Sequence, residues 1–270
     1  MTHVAPIHVG RFEVRTICEG FAPLPLTEEF PGEPVDWAIE RERYPWGYHG
    51  AAAWAWHVHA FVIEGPHGVV VVDTGVGPFG PYRPWERWHA DAWAGEDLGG
   101  VADVVLTHLH ADHAGGIETA ELEPRFPNAA YHLHPSDLRH FEEAHEDAYV
   151  AIRPAQRLES LGVLRATDVN HDVAEGVRVI HAPGHTPGHR VVLIQDGPEG
   201  LLLTGDLIHQ PIQVGERTWF SEHDEDPLLG VASRRVLLWR AEIHGYRVGA
   251  THFAHPFGSI DDGRWTSDPV

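Results

Sequence analysis

Thr107-His108-Leu109-His110-Ala111-Asp112-His113-Ala114-Gly115-Gly116 is the stretch on which the reading of this chain turns. It places four candidate metal ligands within six residues, at the spacing H-x-H-x-D-H. Core packing gives no reason for three imidazoles and a carboxylate to crowd together. His108 and His110 stand two apart, so on an extended segment both face one side. Asp112 and His113 follow as the chain turns toward a helix, and Gly115-Gly116 permits close backbone approach. Imidazole and carboxylate ligands suit zinc, and also manganese, iron or cobalt. Adjacent ligands directed at two sub-sites indicate a pair of divalent metals ~3.5–4 Å apart.

Outward from this run, the same arrangement recurs. Ala102-Asp103-Val104-Val105-Leu106-Thr107 reads as a short buried strand, so the ligands lie where a rigid strand hands over to a loop. Ala182-Pro183-Gly184-His185-Thr186-Pro187-Gly188-His189 follows a strand ending at Ile180 and His181, and its Pro and Gly residues fix a tight loop that presents His185. Thr204-Gly205-Asp206 closes a very apolar strand, where an acid is costly unless it binds metal or is otherwise paired. Gly249-Ala250-Thr251-His252 closes another. His185, Asp206 and His252 thus join the 108–113 cluster as candidate ligands.

The remaining pattern is layered α/β. His59 to Glu64 and Val69 to Asp73 form an expected hairpin about Gly65-Pro66-His67-Gly68, the second strand buried on both faces. Arg11 to Ile17, Val177 to Ile180, Arg190 to Ile194 and Leu201 to Thr204 read as strands. Tyr82 to Ala94, Pro135 to Asp147 and Pro227 to His244 read as helices. Pro23 to Tyr48, with five prolines, reads as irregular. The expected organisation is one domain over 1–270, with residues 1–57 as an irregular Trp/Pro-rich cover.

Composition narrows the function. The chain has 270 residues and a formal net charge of −21, which disfavours nucleic acid, whose phosphates need a basic footprint. All 19 basic residues are arginine, so no lysine can form a Schiff base or anchor a substrate carboxylate. No apolar run approaches the ~18 residues of a membrane helix, so no membrane partner is expected. The N-terminal residues lack a basic start followed by an apolar segment, and a cytoplasmic location is the expectation. The single Cys18 excludes an internal disulfide and a cysteine-based cluster. His57 and His59, like His132 and His134, repeat the H-x-H spacing without a neighbouring acid and third histidine, and are not expected to hold metal.

Taken together, Asp73-Thr74-Gly75, the 108–113 cluster, Pro183 to His189, Thr204-Gly205-Asp206 and Thr251-His252 resemble the metallo-β-lactamase superfamily over about residues 58 to 256. The resemblance implies an αββα sandwich with a dinuclear site between the sheet edges. It implies that His108, His110 and His185 hold one metal, that Asp112, His113 and His252 hold the other, and that Asp206 bridges. Asp73 matches the family's aspartate behind the site, where it would orient a ligand. Gly205 to Gln213, Asp224-Glu225-Asp226-Pro227 and Thr251-His252-Phe253 resemble the branch of acyl-homoserine lactone lactonases and methyl parathion hydrolase. Many lactonases of that branch carry tyrosine three residues after the bridging aspartate; this chain has His209, an imidazole that can donate to an oxyanion.

The function expected from this resemblance is a two-metal hydrolase, zinc being the first choice, that turns a hydroxide held between the metals on an apolar lactone or ester. Organophosphate triesters are expected as promiscuous substrates. Asp112, or a metal-bound water, is expected to deliver a proton to the leaving group. A thioester or other pathway-specific metallohydrolase is the alternative, and a non-hydrolytic metal-binding or redox protein the third reading. Trp37, Trp46, Trp54 and Trp56 are expected either to cover the metal mouth or to pack the N-terminal segment and a homodimer interface.

Overall fold

Val69-Val70-Val71-Val72 has no polar position because both faces of that strand are covered. A computed structural model of the chain describes residues 4–78, 80, 87–89, 92–96, 98, 100–143 and 151–268. Its strands form two sheets. The first contains β1 (Ile7–Val9), β2 (Phe12–Pro25), β3 (Tyr48–His49), β4 (Ala53–Gly65), β5 (Gly68–Val72), β6 (Arg87–Trp88), β7 (Val101–Val105), β8 (Ala130–Leu133) and β9 (Leu164–Ala166). The main path is β1-β2-β4-β5-β7-β8-β9, with β3 on β4 and β6 on β2. The second sheet runs β10 (His171–Ala174), β11 (Val177–His181), β12 (Arg190–Asp196), β13 (Glu199–Leu203), β14 (Arg247–Gly249), β15 (Phe257–Asp261) and β16 (Arg264–Ser267) in chain order.

The period of two along these strands sorts side chains into three apolar layers. Phe61, Ile63, Val70, Val72, Val105, Val192, Ile194, Leu201 and Leu203 fill the space between the sheets. Their neighbours Val62, Val71 and Val104 point the other way, onto α3 (Pro135–Glu143) and α4 (Ile152–Ser160) through Leu138, Phe141, Ala155 and Leu158. On the far side Val191, Leu193 and Leu202 meet Leu237, Leu238 and Ala241 of α5 (Pro227–His244). Helix, sheet, sheet, helix is the expected αββα sandwich. Each fully buried Val, Leu or Phe stabilises by about 1.5–3 kcal/mol relative to exposure, which holds the strand ends in place.

The expected hairpin is present, with Phe61 opposite Val72 and Gly65 opposite Gly68. The helix at 227–244 starts where Asp226 accepts from the Leu229 amide at 3.0 Å, with Pro227 at its first position, and stops at Gly245 with φ 63°.

Three expectations are corrected. The strand near Arg11 continues to Pro25 and pairs with β4 from Glu13 opposite Glu64 to Pro25 opposite Ala53. Residues 7–25 are therefore part of the sheet rather than an irregular cover. Pro23 and Pro25 are tolerated near the end of that long strand, where β2 needs a partner along one edge only. Between β2 and β4 the chain also forms α1 (Trp37–Arg43), whose first amides Asp36 caps. In the segment 82–94, Arg87–Trp88 is a strand paired with Phe21 and Gly20, not helix; the open edge of β2 overrides local preference. Residues 82–86 and 90–91 of that expectation, and 144–147 of the one at Pro135 to Asp147, lie outside the described residues.

Candidate metal centre

The apolar strands end at one place, and their polar successors converge there. His108 and His110 follow β7, and Asp112 and His113 lie in the single turn of α2 (Ala111–Ala114). His185 projects from the loop between β11 and β12, Asp206 follows β13, and His252 follows β14. Donor atoms of His108, His110, His185 and Asp206 lie within 4.8 Å of one another, as do those of Asp112, His113 and His252.

Asp206 stands between the two groups. Its Oδ2 is 3.2 Å from His185 Nε2 and 3.8 Å from His108 Nε2. Its Oδ1 is 2.9 Å from His113 Nε2 and 3.0 Å from His252 Nε2. Each carboxylate oxygen thus faces one group. Asp112 Oδ2 lies 3.7 Å from His113 Nε2 and 3.9 Å from His252 Nε2.

The donor set fits cations. His110 Nδ1 is 3.0 Å from His108 Nε2 and 2.9 Å from His185 Nε2. One proton serves three converging nitrogens poorly; one cation serves them all. His113 Nε2 is buried and makes no hydrogen bond of normal geometry. Burial, through desolvation, holds His108 and His110 below the usual histidine range and pushes His185 down to about 3, which favours the neutral form with a lone pair. Against the same desolvation, His113 and His252 hold Asp206 well below the usual carboxylate range.

The far nitrogen of several imidazoles is tied, as metal-binding histidines require. His113 Nδ1 donates to Asp73 Oδ2 at 2.8 Å, and His252 Nδ1 to the His57 carbonyl at 2.6 Å. Asp73 also accepts from the Thr107 amide at 2.7 Å and the Thr107 hydroxyl at 2.8 Å. It therefore sits behind the cluster and fixes both the β7 exit and one imidazole.

The family model of the metallo-beta-lactamase superfamily matches residues 53–234, which contain six of the seven converging residues. The chain belongs to the metallo-beta-lactamase superfamily. Similar proteins include an N-acyl homoserine lactonase of a Bacillus species, 26% identical over 132 residues, covering 48% of each chain. Another is an atrochrysone carboxyl ACP thioesterase of Passalora fulva, 26% identical over 151 residues, 56% of this chain and 38% of that one. The chain spans about half the length, or less, of these curated relatives. Among solved structures, AidC, a dizinc quorum-quenching lactonase in complex with a product, aligns with TM-score 0.81 at 21% identity, over 98% of this chain and 97% of that one. The hydrolase AbOPH aligns with TM-score 0.82 at 20% identity, over 100% and 99%. At these identities the alignments establish the shared fold.

Two of the positions around this superfamily site, Glu29 and Asp137, have no local signal in the sequence, and the partners of His209, His189 and Asp224 are visible only in the fold. Glu29 is buried and accepts from His209 Nδ1 at 3.1 Å. His209 Nε2 in turn lies 3.4 Å from Asp206 Oδ2. Against desolvation, Asp206 and Glu29 hold the His209 imidazolium up to about 10. His189 closes the 182–189 motif: its Nδ1 donates to the Ala182 carbonyl at 3.0 Å and its Nε2 accepts from the Asp206 amide at 2.9 Å. Asp137, fully buried on α3, accepts from Thr186 Oγ1 at 3.1 Å and the Gly188 amide at 2.6 Å, bracing the His185 loop. Asp224 bridges His185 Nδ1 at 3.6 Å and Arg234 Nη2 at 3.2 Å. These partners come from other elements, so only the fold assembles them.

Of the tryptophans expected over the mouth, Trp56 reaches the site, its ring centroid 3.8 Å from that of His252 and 5.1 Å from that of His209. Trp54 is wholly buried, and Trp46 and Trp37 pack against the same core cluster. Of the seven converging residues, five are closed off, while Asp112 keeps 28% of its side chain accessible and His110 is half-buried. The open side of the centre is therefore the Asp112 side.

Proposed function

We propose that the protein is a dinuclear metal-dependent hydrolase acting on a lactone or ester, of the acyl-homoserine lactonase kind. One observation carries the reading: Asp206 directs one oxygen to each of two separate imidazole-rich groups. His108, His110 and His185 would hold one ion, Asp112, His113 and His252 the other, with Asp206 shared. Two divalent ions, zinc first, would supply an activated water and a Lewis-acid contact to the substrate's carbonyl oxygen.

The chain's own groups supply the rest. Asp112 lies on the accessible side, where its carboxylate would take the proton lost by the attacking water and return it to the leaving alkoxide. His209 has its Nδ1 proton on Glu29 and its Nε2 turned toward Asp206. It holds Asp206 in place, and its Nε2 proton is the one offered to a substrate oxygen that reaches this inner wall. That is the work a tyrosine hydroxyl does by expectation in related lactonases. Trp56 gives the site an apolar wall for an acyl chain. Lactonase likeness favours a lactone; the thioesterase relative makes an acyl thioester the second reading.

The test is hydrolysis by zinc-loaded protein of a panel of acyl-homoserine lactones, aryl esters, acyl thioesters and paraoxon-like triesters. Turnover of lactones well above the others, lost on chelation and in Asp206→Ala, is expected. Full activity in a metal-free Asp206→Ala protein, or no turnover of any carbonyl substrate, contradicts the proposal. Organophosphate turnover is expected as a weaker side activity.

A further inference from the structure

Among the described residues, one further cluster of donors lies outside the centre just described. Cys18 and His59 are directly opposite each other on β2 and β4, at the last paired position before the bulge between Cys18 and Gly20. His57 lies two residues along β4, on the same face as His59. The two rings stack nearly parallel, 4° apart in plane and 5.7 Å between centroids. One donor atom from each of Cys18, His57 and His59 lies within 4.8 Å of the other two.

His59 is the informative member. It is 2% exposed, and its Nε2 donates to the Phe253 carbonyl at 3.0 Å. That bond fixes the tautomer and leaves Nδ1 with a lone pair. Nδ1 is buried and has no hydrogen-bond partner, an arrangement that costs free energy unless something accepts the lone pair. A neighbouring thiol does not meet it by a hydrogen bond: Cys18 Sγ instead lies 3.7 Å from His57 Nδ1. A tetrahedral zinc with ordinary Zn–S and Zn–N bonds spaces sulfur and nitrogen ~3.6 Å apart. Facing strands fix the backbone positions of Cys18 and His59.

We propose that Cys18, His57 and His59 form a third, mononuclear metal site that takes a thiophilic divalent ion of the zinc class through one thiolate and two imidazoles. Three protein donors leave one tetrahedral position for water. The site adjoins the main centre through the backbone. His57 offers its carbonyl to His252 Nδ1, and His59 offers its Nε2 proton to the Phe253 carbonyl. An ion here clamps the piece of β4 that orients His252.

Cobalt(II) tests this directly, because the chain has a single cysteine and only sulfur gives a sulfur-to-cobalt charge-transfer band in the near ultraviolet. Metal-free protein is titrated with cobalt(II). The expected result is a charge-transfer band that saturates by three cobalt per chain, is bleached by added zinc, and is absent from Cys18→Ser and from His57→Gln. In parallel, Cys18 in the wild-type protein should react with a disulfide probe at least about tenfold more slowly with metal than after chelation, since the free thiolate is the reacting form. No band in the wild-type protein, or equal thiol reactivity with and without metal, overturns the proposal. Both readouts follow sulfur alone, so their outcome is independent of whether the main centre hydrolyses any substrate.

Discussion

Replacing Asp73 by asparagine separates the support of the centre from the centre itself. Asp73 has φ 60°, in the left-handed region that asparagine also tolerates, so the backbone can remain as it is. The side chains have the same shape. What changes is one oxygen. Asp73 accepts three hydrogen bonds, from the Thr107 amide, the Thr107 hydroxyl and His113 Nδ1. The asparagine oxygen can keep the Thr107 amide, and the Thr107 hydroxyl can rotate to accept from the new NH2. His113 has no such remedy. Its Nδ1–H then meets a donor, and the proton moves to Nε2, the nitrogen aimed at Asp206. A hydrogen bond to a charged group is worth about 1.5–3 kcal/mol, and losing such support weakens metal binding about 10–100-fold. Chelator competition with zinc measures this on folded apo-protein of both forms. The loss should fall on the ion held by His113 and spare the other. Asp73→Asn protein that binds zinc with wild-type affinity at both positions would refute the reasoning.

Two further perturbations probe groups that only the fold reveals. Burial pushes the Glu19 carboxyl up to about 7 from its ordinary 4.5, against the amides of Val76 and Gly77 and the Trp93 indole that donate to it. The folded state therefore holds an extra proton between these values, and Glu19's contribution to stability is complete below about 4.5 and lost as pH rises through about 7, by roughly 3 kcal/mol. Urea unfolding of Glu19→Gln should show the variant gaining on the wild type between pH 5 and 8; parallel curves would rule this out. Glu29→Gln removes the charge that anchors His209 Nδ1, and kcat should fall about 10–100-fold while KM changes less than about threefold. A raised KM with unchanged kcat would make Glu29 a substrate-binding residue instead.

The convergence of the candidate ligands was legible because they are local in sequence or end strands. The 108–113 run needs no partner to be noticed, and His185, Asp206 and His252 each terminate an apolar run whose strands the structure contains. The long helix carried its own caps in Asp226, Pro227 and Gly245. β2 runs beyond the stretch its local sequence marks as strand, because Pro23 and Pro25 signal a loop locally whereas pairing with β4 accepts them. Arg87–Trp88 became a strand through pairing with β2, which no local pattern encodes. Glu29, Asp137 and His189 act through partners on other elements. Cys18 and His59, 41 positions apart in the chain, meet only through strand register.

The central claim is that Asp206 is shared by two ions. Crystals of zinc-loaded protein, with anomalous difference maps recorded at the zinc edge, test it most directly. The account predicts two peaks flanking Asp206, one near each carboxylate oxygen, about 3.5–4 Å apart, and both absent from Asp206→Ala crystals. A single peak beside Asp206, or two that persist without its carboxylate, would contradict it.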